Sequence, residues 1–254
     1  MKPYYEDDSV QLYLGDMREV LPALGLQADL VVADPPYAET SLEWDRWPDG
    51  WPALAAAHSR SMWCFGSMRM FLDRAPEFTD WKLSQDVVWE KRNGSGAATD
   101  RFRRVHEHAL HWYRGQWGDL HHDTPRVAAT PEQIARNSSA TRTSRPVHYS
   151  EFPEPNTWRE TGTRLMRSVV QVPSMRGVAR HPTEKPVGIL DPLIRYACPP
   201  GGLVVDPFAG SGSTLDAARL AGRRAIGIEA NEPYAEAAAR RLDTLVLPLD
   251  GGAA

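Results

Sequence analysis

Short apolar runs punctuate the first part of the chain at intervals that suit strands and helices in turn. Val10–Leu14, Leu30–Ala33, Met62–Phe65, Asp86–Trp89 and Ala109–Tyr113 are rich in aliphatic, β-branched or aromatic residues and predict strands. Met17–Leu24 repeats its apolar residues at helical spacing, with Met17, Val20, Leu21 and Leu24 on one face. The pattern returns near the C-terminus. Val187–Ala197 predicts a helix, stopped by Pro199, Pro200, Gly201 and Gly202. A strand over Leu203–Val205 and a helix over Thr214–Ala221, closed by Gly222, come next. A strand over Ala225–Ile228 and a helix over Pro233–Leu242, capped by Asn231, complete the series. Alternation of this kind predicts an α/β fold with a mostly parallel sheet and helices on both faces.

Between Gly115 and about Arg180 the periodicity stops. Pro125, Pro131, Pro146, Pro153, Pro155 and stretches such as RNSSATRTSR sustain neither a period of two nor one of 3.6. An irregular segment this long is usually functional or disordered. Residues 1–115 and 181–254 are therefore expected to form one domain, with 116–180 inserted into it.

Composition sharpens this division. With 254 residues, 42% of them hydrophobic, the chain can bury a large core as one elaborated domain. Its formal charge of −4 hides a contrast: residues 101–180 hold 13 Arg, no Lys and 7 acids, a net +6 against −10 elsewhere. Six of the eight His lie there too. Such a block suits a polyanionic partner, although charge alone fits a solvated Arg-rich loop equally well. Two cysteines, Cys64 and Cys198, exclude a disulfide scaffold and a Cys-rich zinc site, and no metal is expected. The longest apolar runs fall short of the roughly 20 residues a membrane-spanning helix needs, and MKPYYEDDSV lacks a signal-peptide core. The expectation is a soluble cytoplasmic protein with no membrane partner.

Two motifs carry candidate chemistry. In GGLVVDPFAGSGSTLDAARLAG a strand ends at Asp206, a turn with Gly210 and Gly212 follows, and a helix begins. Glycines let a ligand approach the backbone, and Glu229 ends the next strand, where doubly wound folds place an acid for ribose hydroxyls. The turn lacks the GK[ST] of a phosphate loop and the GxGxxG of dinucleotide enzymes, so a nucleoside-type cofactor is expected. The other motif is Asp34-Pro35-Pro36-Tyr37, at the end of the Leu30–Ala33 strand. The prolines fix φ and remove two donors, Asp34 adds a carboxylate acceptor, and Tyr37 adds a flat ring. This set suits a planar ring bearing an NH2 group.

In that order these motifs resemble the amino-group DNA methyltransferases that use S-adenosylmethionine. The closest resemblance is to their permuted class, in which DPPY precedes the target-recognition region and the cofactor motif follows it. His181-Pro182-Thr183-Glu184-Lys185-Pro186 resembles the HPTxKP element of that class, Gly15-Asp16 its short GD element, and VHEHALHWYRG the strand at the rim of its base pocket. The resemblance covers about 180 of the 254 residues. It implies a Rossmann-like, seven-stranded sheet with one reversed strand and circularly permuted motifs. It also implies methyl transfer to the N6 of adenine in double-stranded DNA, after the base has turned out of the stack. Asp34 and Pro35 would accept the amine hydrogens, with Pro36 and Tyr37 completing the motif and Tyr37 stacking on the base. Asp206, Pro207, Phe208, Ala209, Gly210, Ser211 and Gly212 would hold the cofactor, with Glu229 at its ribose. Asp16 would reach its adenine, or simply cap the helix after it; Thr183 and Lys185 would meet its carboxylate.

Arg101, Arg103, Arg104, Arg142 and Arg145 are candidates for DNA contacts. Trp44 and Trp89 either line the base pocket or pack in the core. Cys64 and Cys198 read as core residues, since carbon-5 methylation would need a cysteine after a proline, and Cys198 precedes one. The recognition segment is short at 65 residues, so a homodimer is expected, with a cognate restriction enzyme as a further partner. Three alternatives stay open: N4 of cytosine, an RNA or protein amide nitrogen, and a DNA-binding relic without activity.

Overall fold

The computed structural model describes residues 1–41, 45–95, 99–138, 161–173 and 184–244. In chain order these form β1 (Tyr5–Glu6), β2 (Val10–Leu14), α1 (Met17–Leu24), β3 (Leu30–Ala33), α2 (Trp51–His58), β4 (Ser61–Gly66) and α3 (Met68–Arg74). Next come β5 (Lys82–Ser95), β6 (Arg104–Tyr113), β7 (Arg126–Ala128), α4 (Pro131–Ser138), β8 (Thr163–Leu165) and β9 (Val169–Gln171). The chain ends with α5 (Val187–Ala197), β10 (Leu203–Asp206), α6 (Ser213–Leu220), β11 (Arg224–Glu229) and α7 (Glu232–Asp243). Two compact units result, one of Met1–Asp123 with Ser168–Ala254 and one of Thr124–Arg167.

In the larger unit nine strands form one sheet, in the order β1-β2-β11-β10-β3-β4-β6-β5-β9. Strands β2, β11, β10, β3 and β4 run parallel, β6 runs against them, and β5 returns parallel. The seven strands expected are thus exceeded. Short β1 adds a second reversed strand at one edge, and β9 adds a parallel one at the other. All residues of β3 and β4 are buried, which is why they read as continuous apolar runs rather than alternations.

Local signals set the helix ends. The Asp16 side chain caps α1 by accepting from Arg18 N–H at 2.8 Å, and Gly25 closes it with φ 58°. Asn231 caps α7 as its sequence predicts. Helix α2 is buried around most of its surface, at Trp51, Pro52, Ala55, Ala56 and His58, so it shows no helical stripe. Its Trp51 stands edge-on to Phe78 at 6.0 Å and to Phe208 at 5.3 Å, tying the glycine-rich turn to an aromatic core.

The smaller unit pairs β7 with β8 in a two-stranded antiparallel sheet. Its strands are three residues long, β7 is exposed throughout, and Arg126 donates to Thr163 Oγ1 at 2.8 Å. Side-chain hydrogen bonds of this kind leave no apolar period in the sequence.

Candidate active site

Four acids stand at the carboxyl ends of four adjacent parallel strands. Asp34 follows β3, Asp206 ends β10, Glu229 ends β11, and Asp16 lies two residues beyond β2. The registers Val205↔Val31, Asp206↔Gly227 and Glu229↔Leu14 set Asp34 and Glu229 two residues past Asp206, with Asp16 two residues further along. At about 4.8 Å between neighbouring strands the row spans roughly 15 Å. The chain leaves β10 toward β11 on one side and β3 toward β4 on the other, so the row straddles the point where strand order reverses. Open α/β sheets bind their ligands there.

Asp34 is held from two sides. Tyr37 donates its hydroxyl to Asp34 Oδ1 at 2.7 Å, and Lys185 donates to Oδ2. Burial and the adjacent carboxylate hold the Tyr37 phenol well above its ordinary pKa, so it stays a neutral donor. Lys185 is 6% exposed, lies 5.2 Å above the Phe65 ring, and also pairs with Glu107 of β6 at 3.4 Å. Glu107 receives a further hydrogen bond from Lys91. Its burial alone would raise its pKa, but the Lys185 and Lys91 ammoniums win and hold it below the usual carboxylate value. Burial likewise opposes the Lys185 charge, and Asp34 and Glu107 overcome it. The result is a network of two lysines and two carboxylates centred on Lys185.

The loop after Tyr37 is braced. Buried Asp45 accepts from the N–H groups of Ala38, Glu39 and Thr40 at 2.9, 3.0 and 2.7 Å. Ala38 is bent to φ 56°, a strained value for a residue with a Cβ, and these three bonds offset the strain. Glu39 then accepts from Ser67, the cap of α3, and from Arg104 at 3.2 Å.

The glycine-rich turn is equally fixed. Gly210 and Gly212 take φ 52° and 77°, and a Cβ at Gly212 would lie 3.1 Å from that of Ala238. Glu229 accepts from Gly210 N–H and Asn231 N–H, each at 2.8 Å. Burial raises its pKa. Asp206 accepts from Phe208 N–H at 2.9 Å, yet burial pushes its carboxyl up to about 7 and nearby Asp34 and Glu229 add to the rise. Asp16 goes the other way, lowered by its bonds to Arg18. These acceptors around a glycine turn fit a ligand rich in hydroxyl and amine hydrogens, as a nucleoside bearing an amino acid is.

A family model described as DNA methylase, of the N6/N4 type, matches residues 28–240, which takes in both motifs. The chain belongs to that family. Among its relatives, the type II methyltransferase M.ScaI of Streptomyces caespitosus is 26% identical over 95% of this chain and 84% of its own. Two Escherichia coli (strain K12) matches are local. The YubD methylase is 51% identical over 31% of this chain and 34% of its own. The DNA adenine methyltransferase YhdJ is 48% identical over 25% of this chain and 21% of its own. Two solved structures share the fold. The complex of M1.HpyAVI with SAM has a TM-score of 0.62 at 22% identity, covering 92% of this chain and 99% of that one. The PvuII cytosine-N4-specific DNA methyltransferase has a TM-score of 0.65 at 17% identity, covering 100% and 91%.

In this methylase Cys64 and Cys198 are buried, and burial pushes their thiols up, Cys198 to about 12. Neither has thiolate character. Trp89 is 2% exposed and donates to the Val172 carbonyl at 2.8 Å, a core role. Arg101 and Arg104 pair with Asp100 at 2.6 Å and Glu39 at 3.2 Å, and Arg103 is exposed beside them. Trp44, Arg142, Arg145 and Thr183 lie outside the described residues, as does the first half of HPTEKP.

Sequence reasoning missed Glu107, Asp45 and Arg241. Arg241 of α7 pairs at 2.8 Å with Glu184, whose side chain is 2% exposed, and so anchors the residue before Lys185. A buried-looking acid beside a motif lysine was the available signal. Asp45→Ala should lower kcat roughly 10- to 100-fold through misplacement of the Tyr37 loop, with KM for the cofactor little changed. Asp45→Asn should recover part of the loss. Equal losses in kcat and cofactor binding would show a general structural defect instead.

Proposed function

We propose that this methylase transfers the methyl group of S-adenosylmethionine to the exocyclic N6 of adenine in double-stranded DNA. The observation that carries the reading is Asp34, fixed by Tyr37 and Lys185 at the end of β3 and aligned with the acids of β10, β11 and β2. Bound along that row, the cofactor supplies an electrophilic methyl group on a sulfonium. Glu229 holds its ribose, Asp16 its adenine, and Asp206 with the turn from Pro207, Phe208 and Ala209 to Gly210, Ser211 and Gly212 its amino-acid end. Lys185 has three donors, so its hydrogen bond to Asp34 and its ion pair with Glu107 leave one for the cofactor carboxylate, a role the resemblance also gives Thr183. Likeness to the M1.HpyAVI complex with SAM supports this cofactor.

Asp34 and the Pro35 carbonyl accept the two amine hydrogens of the extruded base, and Pro36 fixes the turn that sets Tyr37 against its ring. Directing both hydrogens at acceptors turns the nitrogen lone pair toward the methyl group. Transfer would break the methyl–sulfur bond, its electrons returning to sulfur to leave a thioether, and the surplus proton of the methylated nitrogen, a strong acid, would pass to water without a dedicated base. Catalysis is positioning and electrostatic complementarity.

The Asp of DPPY and the local YhdJ match favour adenine. The fold shared with the PvuII enzyme supports N4 of cytosine as the second reading. Residues 116–180, which include the Thr124–Arg167 unit, are assigned to target recognition, with Arg101, Arg103, Arg104, Arg142 and Arg145 on DNA. A homodimer, a cognate restriction enzyme and a bacterial or phage-encoded cytoplasmic setting belong to the same proposal. Among the described residues no helix is long and apolar enough to cross a membrane. Expression in a methylation-free Escherichia coli host, followed by single-molecule sequencing, should reveal N6-methyladenine in one short sequence. N4-methylcytosine instead would overturn the adenine assignment.

Asp206 gives this reading a pH signature. An acid raised to about 7 is mostly protonated at pH 6 and mostly ionised at pH 7.5. The protonated form presents an O–H where the ionised form presents an acceptor to the cofactor, so affinity should rise roughly five- to tenfold across that range. Calorimetric titration of wild type and Asp206→Asn checks this, the variant giving a flat profile.

A further inference from the structure

The paired strands β5 and β6 reach past the rest of the sheet. Strand β4 ends at Gly66, opposite His108, while β6 begins four residues earlier at Arg104. Over that stretch β6 keeps only β5 as a neighbour, up to the pair Ser95↔Arg104. The overhang is roughly 13 Å at 3.3 Å per residue. Because β6 is the reversed strand, it projects from the carboxyl ends of the parallel strands, the side that carries Asp34.

At its far end stands Arg101-Phe102-Arg103-Arg104. Phe102 is 101% exposed, the most exposed large apolar side chain among the described residues. Burial elsewhere does not account for it, and a bare aromatic ring in water is costly to keep. Its surroundings are cationic rather than apolar. Arg101 and Asp100 are each 66% exposed, so their 2.6 Å pair is weak enough to be exchanged for a phosphate. Arg104 binds Glu39 at 3.2 Å, two residues beyond Tyr37, which ties the ribbon to the rim of the Asp34 pocket.

We propose that Phe102 is a stacking wedge: its ring enters the duplex beside the target base and fills the gap left when that base turns toward Asp34. The inference rests on the DNA-methyltransferase reading of the site. A two-stranded ribbon fits a DNA groove, arginines neutralise phosphates, and an apolar side chain inserted at a base step lowers the cost of unstacking it. A methyltransferase needs that step opened before its chemistry.

The test uses a synthetic duplex containing the methylated sequence mapped as above. Wild-type methylation of this duplex is measured first and carries the enzyme reading separately, so a null result with a Phe102 variant strikes the wedge alone. With 2-aminopurine at the target position, wild-type protein should raise fluorescence severalfold. Phe102→Ala should lose most of that rise and slow single-turnover methylation roughly tenfold or more. Phe102→Trp should restore both. On a duplex whose target base already faces a mismatch, Phe102→Ala should match wild type within about threefold, since the step is partly open. Unchanged fluorescence and rate on the paired duplex, or the same loss on paired and mismatched duplexes, would overturn the wedge.

Discussion

Replacing Asp34 with alanine should lower methyl transfer roughly 10²- to 10³-fold, the usual effect of removing one preorganised polar group from the reacting centre. Cofactor affinity should change by less than about threefold, because in the proposed mechanism Glu229 and Asp16 hold the nucleoside and Asp206 with the glycine turn the amino-acid end, none of which the substitution removes. Two partners fix the Asp34 carboxylate, Tyr37 at 2.7 Å and Lys185, so under the proposed mechanism the substrate amine would meet an acceptor that needs no reorganisation. Alanine also frees the Tyr37 hydroxyl, loosening the ring that the proposed mechanism sets against the base. Asp34→Asn should fall between wild type and alanine, since the amide keeps one acceptor but loses the charge. Single-turnover rates with calorimetric cofactor binding separate the two effects. Parallel losses in both would assign Asp34 a structural role.

The second large effect concerns Lys185. Lys185→Met removes the cation shared by Asp34 and Glu107, both within the buried network. Breaking a buried ion pair from one side typically costs about 3–5 kcal/mol, because the partner charge is left uncompensated. The pH dependence follows from Glu107. Its folded-state pKa is lowered in the wild type, so it contributes stability above the unfolded value that is lost as pH falls through the folded one. Without Lys185 only Lys91 opposes the burial of Glu107, so the less compensated charge is penalised most at neutral and alkaline pH. Denaturant unfolding at pH 5 and pH 8 should therefore show the larger defect at pH 8, with turnover falling steeply at both. A defect that grows toward acid would contradict the network as described.

The difference between Asp34 and Lys185 shows what the sequence reveals of such a site. DPPY and DPFAGSG are legible because each sits where a buried apolar strand meets a turn, and both signals are local. The strands β3 and β10 and the Asn231 cap are legible for the same reason. The partner of Lys185 is not, since Asp34 lies 151 residues away and only the sheet order brings them together. Glu107 sits in the polar half of β6, where the strand leaves its apolar neighbours, and that half escapes the hydrophobic pattern although VHEHALHWYRG resembles the rim strand of the family. Asp45 is hidden differently. Its role is to accept three N–H groups from a loop whose shape no periodicity describes. Helix α2 vanishes from the pattern because it is apolar on nearly all sides, and β7 and β8 because they hold together without burial.

The most direct test of the central claim is incubation of the purified protein with labelled S-adenosylmethionine and genomic DNA, read by nucleoside mass spectrometry. Wild-type protein should yield labelled N6-methyladenine, and Asp34→Ala should yield almost none while still binding the cofactor. Label recovered in RNA or protein but absent from DNA, or equal labelling of DNA by the Asp34→Ala variant, would contradict the account.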